Sequence, residues 1–553
     1  MWCWLPVLVL AGCSAAEYQK AADREVYGII AKRQAELLGG SREFSVDTPY
    51  SGRAPEEVSP SEVIGGRADD GQRLMTLTDA LALAATNNRP YQLQRETLYL
   101  AGLDLTGVRH RFAIRATVAQ LKSGINRNTE GGLRGDASGE AAVSKLLKAG
   151  GTVTASLAND LVLYFDGKPK VPDITLELTQ PLLRGAGSAI AAELLTQAER
   201  DVVYAVRDFS QYQKSLAVQV VGEYYRLLQG QDSVRNSYQN YLSLIAARQR
   251  AEAMADAEQL PRFQVDQALQ KELGARVGYI RSVESYRQDL DSFKKTLGLP
   301  LGERVALDDD VLTELNTRAE AGGLTRLPVP DRGAFALAVT NRLDVMNAID
   351  KFEDSKRKVM VAADALRPGL ALVADASLKD QFYDSYHPDE FRARAGLTLD
   401  LPLDRLTERN AYRSARINFE KELRVLQTTL DGLREELRQG LRGLEETRQN
   451  YLIQLNARTL ARQRVQVMPL LLQAGQADIR DQLEAEADLL SAENAVTKAV
   501  VDFHIARLTF LKNLGVLNVE AGQFWLPNQP APGGEVPDNT LPNVPTPQQV
   551  FGN

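Results

Sequence analysis

Two very long helical segments constrain the fold of this chain more than any other feature of its sequence. They cover about residues 188–257 and 408–473. Leucines in the second recur every three or four residues, at Leu423, Leu426, Leu430, Leu433, Leu437, Leu441 and Leu444. This spacing gives one side of a helix an apolar seam for a partner helix. At 1.5 Å per residue, a helix of roughly 65–70 residues is about 100 Å long. Simple core packing accounts for the seam but not for that length.

The sequence repeats across two halves, about 75–300 and 330–517. Four landmarks recur in the same order: 80–87 with 334–341, 176–184 with 397–405, 247–250 with 461–464, and 295–298 with 512–515. Each half therefore has the same predicted order of medium helix, strand pair, very long helix and medium helix. The medium helices are predicted at 88–111 and 261–297, then at 341–365 and 477–513. Placed end to end, each pair nearly equals its long helix, which predicts four antiparallel coiled-coil struts per chain.

Segments between the helices alternate between apolar and polar residues. In 391–402 one face carries Phe391, Ala393, Ala395, Leu397, Leu399 and Leu401, and 174–179 alternates in the same way. About ten residues with one apolar face are typical of a membrane barrel strand, although a lone strand of this kind is more often half-buried on a core. We predict four membrane-crossing strands, two within 112–182 and two within 367–403, with polar loops at 125–149 and 380–390.

The number of strands in the first half presents a difficulty. Three stretches there have strand character: 112–124, 150–163 and 172–181. Three crossings would leave the next helix on the wrong side of the membrane. We therefore expect that one stretch lies in an enlarged external loop or continues another strand. Four strands cannot close a barrel alone, and open edges are not tolerated in lipid, so closure requires several copies of the chain.

The two ends of the chain differ in composition from its body. The only cysteines are Cys3 and Cys13, and Leu10-Ala11-Gly12-Cys13 resembles a bacterial lipoprotein signal. Residues 1–12 are predicted as a signal peptide and Cys13 as a lipidated N-terminus; the alternative is an ordinary signal peptide in which Cys13 has no role. Residues 13–73 read as a helix and linker, 301–333 as an inter-repeat linker, and 518–553 as a Pro-rich tail.

The whole arrangement resembles the TolC-like outer membrane efflux family over about residues 74–517. The resemblance rests on TLTDAL at 76–81, QPLL at 180–183, and the Leu-Gly pairs at 297–298 and 514–515. It implies a homotrimer in which four strands per chain close a 12-stranded barrel in outer-membrane lipid, above a periplasmic α-helical tunnel. It also implies a passive channel of a tripartite efflux or type I secretion system, with a periplasmic membrane-fusion adaptor and an inner-membrane pump as partners.

In that family, paired helices meet at periplasmic tips where adaptors dock and the tunnel narrows. The corresponding residues are Ala257, Glu258, Gln259 and Leu260, then Ala474, Gly475, Gln476 and Ala477. Asp481, Glu484 and Asp488 follow at spacings that share one helix face. Threefold symmetry would turn these acids into rings that attract cations, and by resemblance Asp481 and Glu484 match acidic constriction positions. The alternative is that the acids favour the helix dipole and mark a solvated face.

Other functions find little support. A net charge of −7 argues against a nucleic-acid binder. His110, His387 and His504 lack metal-ligand spacing, and no phosphate-binding loop, nucleophile elbow or HExxH motif is present. We expect neither an enzyme nor a cofactor. The competing hypothesis is an exported coiled-coil lipoprotein scaffold without channel activity, against which the strand alternation argues.

Overall fold

A computed structural model describes residues 14–40, 44–68, 71–127, 133–163, 173–308, 310–327, 330–379 and 391–517. The predicted signal peptide, Cys13, the polar segment 380–390 and the Pro-rich tail 518–553 lie outside the described residues. Side chains within 117–140 and 158–173 are also outside the description, although most of their backbone is assigned to strands.

The described part of the chain is mainly helical. Its helices are α1 (Ala15–Leu38), α2 (Pro60–Gly65), α3 (Leu77–Asn87), α4 (Arg89–Phe112), α5 (Ser188–Ala191), α6 (Glu193–Asp256), α7 (Arg262–Leu297), α8 (Asp310–Gly322), α9 (Asp331–Asn341), α10 (Leu343–Asp364), α11 (Leu406–Gln473) and α12 (Ile479–Asn513). The long helices α6 and α11 have 64 and 68 residues. Both long helices and all four medium helices are confirmed to within a few residues. None of the helices described is long and apolar enough to cross a bilayer.

Local sequence signals account for several helix ends. At the start of α3, the Thr76 hydroxyl accepts from the Asp79 amide at 3.2 Å, and the Asp79 carboxylate accepts from the Thr76 amide at 3.2 Å. This reciprocal pair is a capping box, and it explains why TLTD begins a helix. Asp478 and Asp481 form the same device at the start of α12. The helix α7 ends at Gly298, whose φ of 74° is left-handed.

Two sheets accompany the helices. The strands are β1 (Gln72–Met75), β2 (Ile114–Arg127), β3 (Leu133–Leu146), β4 (Thr152–Leu163), β5 (Asp173–Pro181), β6 (Arg304–Leu307), β7 (Gly369–Lys379) and β8 (Phe391–Asp400). β1 and β6 form a parallel pair, whereas the order β2-β3-β4-β5-β7-β8 makes one antiparallel six-stranded sheet.

The sheet therefore has six strands, whereas the sequence predicted four, each crossing a membrane. Residues 133–146, assigned to the polar loop 125–149, form the additional strand β3, which pairs along its length with both β2 and β4. The sequence of β3 is rich in glycine, alanine and serine, so its hydrophobic alternation is too weak to indicate a strand. Because β2, β3, β4 and β5 alternate in direction, β5 ends at the same end of the sheet at which α4 leads into β2. This removes the difficulty of three crossings, and it leaves the 12-strand count without its basis of four strands per chain.

The chain divides into two compact units. The first contains the described residues of Met1–Val46, Arg95–Asp208 and Asn347–Thr429, and the second those of Asp47–Gln94, Phe209–Met346 and Leu430–Asn553. The six-stranded sheet belongs to the first unit. Both helical tips, at 254–262 and 471–479, belong to the second.

A polar network packs α6 against α10 in the first unit. The Tyr204 hydroxyl donates to the buried Asp354 carboxylate at 2.5 Å, and Arg200 and Arg357 lie 2.6 and 2.9 Å from the other oxygen. Burial would raise the pKa of Asp354, but the Tyr204 hydroxyl and the two guanidinium groups together hold it below its ordinary value. Both oxygens of this buried carboxylate thus lie beside a hydroxyl or a guanidinium group, and these contacts link α6 to α10.

Two glycines of the second unit occupy matching environments. Gly298 and Gly515 both have positive φ, 74° and 78°. A Cβ on Gly298 would lie 2.3 Å from the Asn87 carbonyl oxygen, and one on Gly515 would lie 2.6 Å from the Asn341 carbonyl carbon. The end of α7 therefore packs against the end of α3. In the same way, the end of α12 packs against the end of α9. Only glycine fits either position without displacing backbone.

The segment between the halves is more structured than a linker. Residues 301–333 contain β6 and α8, and β6 pairs with β1. The buried Tyr224 hydroxyl of α6 donates to the carbonyls of Met75 and Asp308, at 3.2 and 3.0 Å. These contacts join distant parts of the chain, so sequence periodicity does not reveal them.

Candidate functional sites: the amphipathic sheet and the helical tips

Strand register divides the six-stranded sheet into an apolar and a polar face. One row of directly opposed residues across the sheet is Ala116, Val143, Ala155, Leu176, Ala376 and Ala393. The adjacent row is Arg115, Ser144, Thr154, Glu177, Asp375 and Arg394. Because neighbouring residues of a strand point to opposite faces, the first row lies on one side of the sheet and the second on the other.

The apolar face is exposed rather than covered by a core. Its large exposed side chains are Ile114, Val143, Leu157, Ile174, Leu176, Phe391, Leu397 and Leu399, between 41% and 66% accessible. Among the described side chains of this face, Lys145 alone is charged, and it lies two residues before the turn at 147–151. An exposed apolar surface that continues across six strands marks contact with lipid or with another protein.

The two predicted tips have the same backbone geometry. In the first, the Gln259 amide donates to the Met254 carbonyl at 2.8 Å and the Glu258 amide donates to Ala255 at 3.1 Å. The second has the same two bonds, at 2.9 and 3.1 Å, from Gln476 to Leu471 and from Gly475 to Leu472. This pattern is a Schellman helix end, which needs one left-handed residue.

Different residues take the left-handed position at the two tips. Gly475 has φ 70°, whereas Glu258 has φ 58° and is the one non-glycine residue with positive φ among those described. A side chain in this conformation costs about 1 kcal/mol. The first tip therefore keeps its geometry at an energetic cost that the second avoids.

An apolar cluster packs the two tips together. It contains Leu244, Ala247, Ala251, Ala268, Leu472, Ile479 and Leu483, with Leu260 half-buried against it. Of the eight predicted docking residues, Leu260 and Ala477 are half-buried and the other six are exposed. The structure thus brings both sets of tip residues to one end of a packed four-helix arrangement and leaves most of them accessible.

The three predicted constriction acids lie along one exposed face of α12, and each has a partner. Asp481 accepts from the Asp478 amide at 3.2 Å. Arg480 lies 3.9 Å from Asp481 and 3.8 Å from Glu484. Arg464 of α11 donates to Asp488 at 2.6 Å.

The acids Asp481, Glu484 and Asp488 form an acidic stripe on α12, and the sequence alone does not identify Arg464 and Arg480 as its partners. Arg464 belongs to the ARQR landmark, which indicated the repeat but not this contact. The available signal was an arginine about two and a half turns before the end of α11 and an acid about the same distance into α12. A further acid, Glu486, is half-buried on α12: burial raises its pKa, while Arg250 lowers it and Glu493 raises it.

Comparisons with known proteins agree on the fold. The chain is similar to the outer membrane protein VceC of Vibrio cholerae, at 14% identity and TM-score 0.57 over 79% of this chain and 96% of VceC. It is similar to the Neisseria gonorrhoeae MtrE outer membrane channel, at 13% identity and TM-score 0.56 over 86% and 96%. The Campylobacter jejuni CmeC outer membrane channel matches at 13% identity and TM-score 0.56 over 80% and 85%. No protein-family model and no curated protein sequence matches the chain.

These neighbours bear on the class of fold. All are solved structures of outer-membrane proteins, and the matches cover most of each chain. The fold is therefore that of the TolC-like outer membrane channels, as the sequence resemblance implied. At identities of 13–14% this similarity establishes the fold alone, and function must be argued from the functional sites.

Proposed function

We propose that this chain is one subunit of a passive outer-membrane channel of an efflux or secretion system. The observation that carries the proposal is the pair of adjacent rows in the six-stranded sheet, one apolar and one polar throughout. A sheet with this division suits a wall whose apolar face meets lipid and whose polar face lines water. The scaffold alternative gives no reason for an exposed apolar face of this extent.

The channel assembles as a homotrimer. A six-stranded sheet has two open edges, and lipid does not tolerate unpaired backbone groups, so other copies must cover the edges. The matching environments of Gly298 and Gly515 support the two-repeat construction of each subunit. The accessible tip residues, from 257–260 and 474–477, would dock a periplasmic adaptor that links the channel to an inner-membrane pump. Cys13 would carry a lipid that anchors the N-terminus in the same membrane.

The acidic stripe of α12 would narrow the channel near the tips. Three copies would present Asp481 and Glu484 around a common axis, where carboxylates attract cations. The side chains of Asp481 and Glu484 are 36% and 51% exposed, which leaves them accessible for this role. Arg480 and Arg464 temper the charge of the stripe.

Purified protein in planar bilayers tests the channel directly. We expect that extraction requires detergent and that insertion gives discrete conductance steps. A protein that stays soluble without detergent and gives no conductance is the scaffold instead.

A matched pair of variants tests which face meets lipid. Leu176→Arg places a charge on the apolar face and should reduce the membrane-inserted fraction strongly, since arginine at the bilayer midplane costs about 2–4 kcal/mol. Thr175→Arg places the same charge one residue away, on the polar face, and should insert normally. Equal insertion of the two variants would overturn the assignment of the faces.

A further inference from the structure

We propose that three copies of this chain join through the free edges of the six-stranded sheet, β8 of one copy beside β2 of the next, to close an 18-stranded barrel. The proposal rests on the trimeric channel proposed above and deepens it. The resemblance implied 12 strands, four from each copy, whereas the sheet of this chain contributes six.

The hairpin β2–β3 has the properties of barrel wall. Its described residues continue both faces of the sheet: Ala116 and Val143 lie in the apolar row, and Arg115 and Ser144 lie in the polar row. Ile114 and Val143 are 65% and 45% exposed on the apolar side. A hairpin projecting into water would gain nothing from an apolar face aligned with that of β4, β5, β7 and β8.

All six strands are long enough to cross a membrane. Their lengths are 14, 14, 12, 9, 11 and 10 residues from β2 to β8 along the sheet. A tilted transmembrane strand needs roughly 9–11 residues. Neither strand of the hairpin is shorter than the strands that sequence analysis placed in the membrane.

The two edge strands run in the directions that closure of the barrel requires. Every pairing in the sheet is antiparallel. With six alternating strands, β2 and β8 run in opposite directions, so β8 of one copy fits antiparallel beside β2 of the next. A second copy of this chain is thus the occupant that continues the ladder. One sheet of six strands does not close on itself, because membrane barrels begin at about eight strands.

The register of the sheet indicates where the seam pairs. Ile114, Lys145, Val153, Leu178, Ala374 and Ala395 form one continuous row from edge to edge. A tilt of about 40° shifts such a row by about seven residues over six strands. Ile114 is the first residue of β2, so a shifted row can meet this strand only at a residue later in its sequence. Ala395 should therefore meet the next copy near residue 121. The resulting barrel is about one and a half times as wide as a 12-stranded one.

Disulfide cross-linking in isolated outer membranes tests the seam. Ala395→Cys on β8 is combined with a single cysteine at each position from 116 to 126 on β2, in the full chain. We expect oxidation to give covalent dimers and trimers, strongest near residue 121 and on alternate positions. The matched series pairs Ala395→Cys with cysteines on β4, such as Ala155→Cys, and should give no intersubunit product. Ala374→Cys with Ala395→Cys, directly opposed within one chain, is the positive control for oxidation.

The outcomes distinguish this proposal from the channel itself. Cross-links from β8 to β4 with none to β2 would mean a 12-stranded barrel with β2–β3 outside the wall, and would overturn the seam while the trimeric channel stands. A conducting trimer with no cross-link to either strand would also overturn it. A monomer without conductance would overturn the proposed function as well.

Discussion

Arg464 Nη1 lies 2.6 Å from Oδ2 of Asp488, so the acid furthest from the tip in the α12 stripe is paired with a cation from α11. Both side chains are partly exposed, and an exposed pair of this kind contributes little to stability. Its larger effect is on the field of the stripe. Arg464 offsets the charge of Asp488, whereas Asp481 and Glu484 share the single charge of Arg480 and leave a net negative charge near the proposed constriction.

Removing Arg464 should therefore increase cation selectivity. Arg464→Gln frees the Asp488 carboxylate, and the reversal potential across a KCl gradient in planar bilayers should shift toward that of potassium. Arg462→Gln is the matched control: Arg462 lies on the same helix but pairs with Glu493, outside the stripe. Equal shifts in the two variants, or no shift in either, would contradict a constriction at the stripe.

Asp481 has two separable roles. As the third residue of α12 it completes the capping box with Asp478, and as a charge it belongs to the stripe. Asp481→Asn keeps an acceptor and should retain stability within a few tenths of a kcal/mol, whereas Asp481→Ala should lose about 0.5–1 kcal/mol. Both variants should change conductance alike. Wild-type conductance in the Asn variant would reduce Asp481 to a helix cap.

The first tip should be stabilised by a glycine. Glu258→Gly removes the left-handed strain and should raise the free energy of unfolding by about 0.5–1 kcal/mol, measured by urea titration in detergent. Glu258→Ala retains the Cβ and should change little. Gly475→Ala imposes the same strain on the second tip and should destabilise by about 1 kcal/mol. A loss of stability in Glu258→Gly would show that the glutamate side chain contributes contacts of its own.

Close packing at Gly298 and Gly515 predicts severe effects from a single methyl group. Gly298→Ala and Gly515→Ala should each destabilise by about 2 kcal/mol or more, because the added Cβ meets backbone atoms that cannot move aside. Gly278→Ala, in the middle of α7 with open space around it, should be neutral or stabilise by up to about 1 kcal/mol. Thermal unfolding of the three variants separates the cases; similar midpoints for all three would refute the packing argument.

The stability of the second unit should depend on His504. Burial, together with the nearby charges of Arg507 and Arg318, lowers the pKa of His504 to about 4. The unfolded chain takes up a proton below about pH 6.5, while the folded chain does not until about pH 4. Stability should therefore fall as pH falls through this window. His504→Gln should lack this part of the pH dependence, so its difference from wild type should change between pH 7 and 4. A constant difference would contradict a half-buried histidine that stays neutral in the folded chain.

Helix positions could be predicted from the sequence, because helix periodicity and end signals are local. The capping box of TLTD and the left-handed glycines Gly298 and Gly515 are local signals of this kind, and each adjoins a helix end in the structure. β3 could not be predicted, since its small residues carry little alternation and its place depends on pairing with two neighbours. The partners of the acidic stripe were missed for a related reason: Arg464 and Asp488 are 24 residues apart, joined by a hairpin whose exact register only packing defines.

The turn at 147–151 has a consequence for how channels of this kind can differ in width. Its Ala149 carbonyl accepts from the Gly187 amide at 3.1 Å, which holds the β3–β4 connection beside the start of α5. The strands β2 to β5 lie between α4 and α5, so an even number of strands keeps both helices at the same end of the sheet. Strands can therefore be added or removed here only in pairs, as whole hairpins. Deleting β2–β3 and joining α4 directly to β4 would leave every remaining connection on its original side. In the barrel proposed above, the number of strands would therefore change by two per subunit at a time.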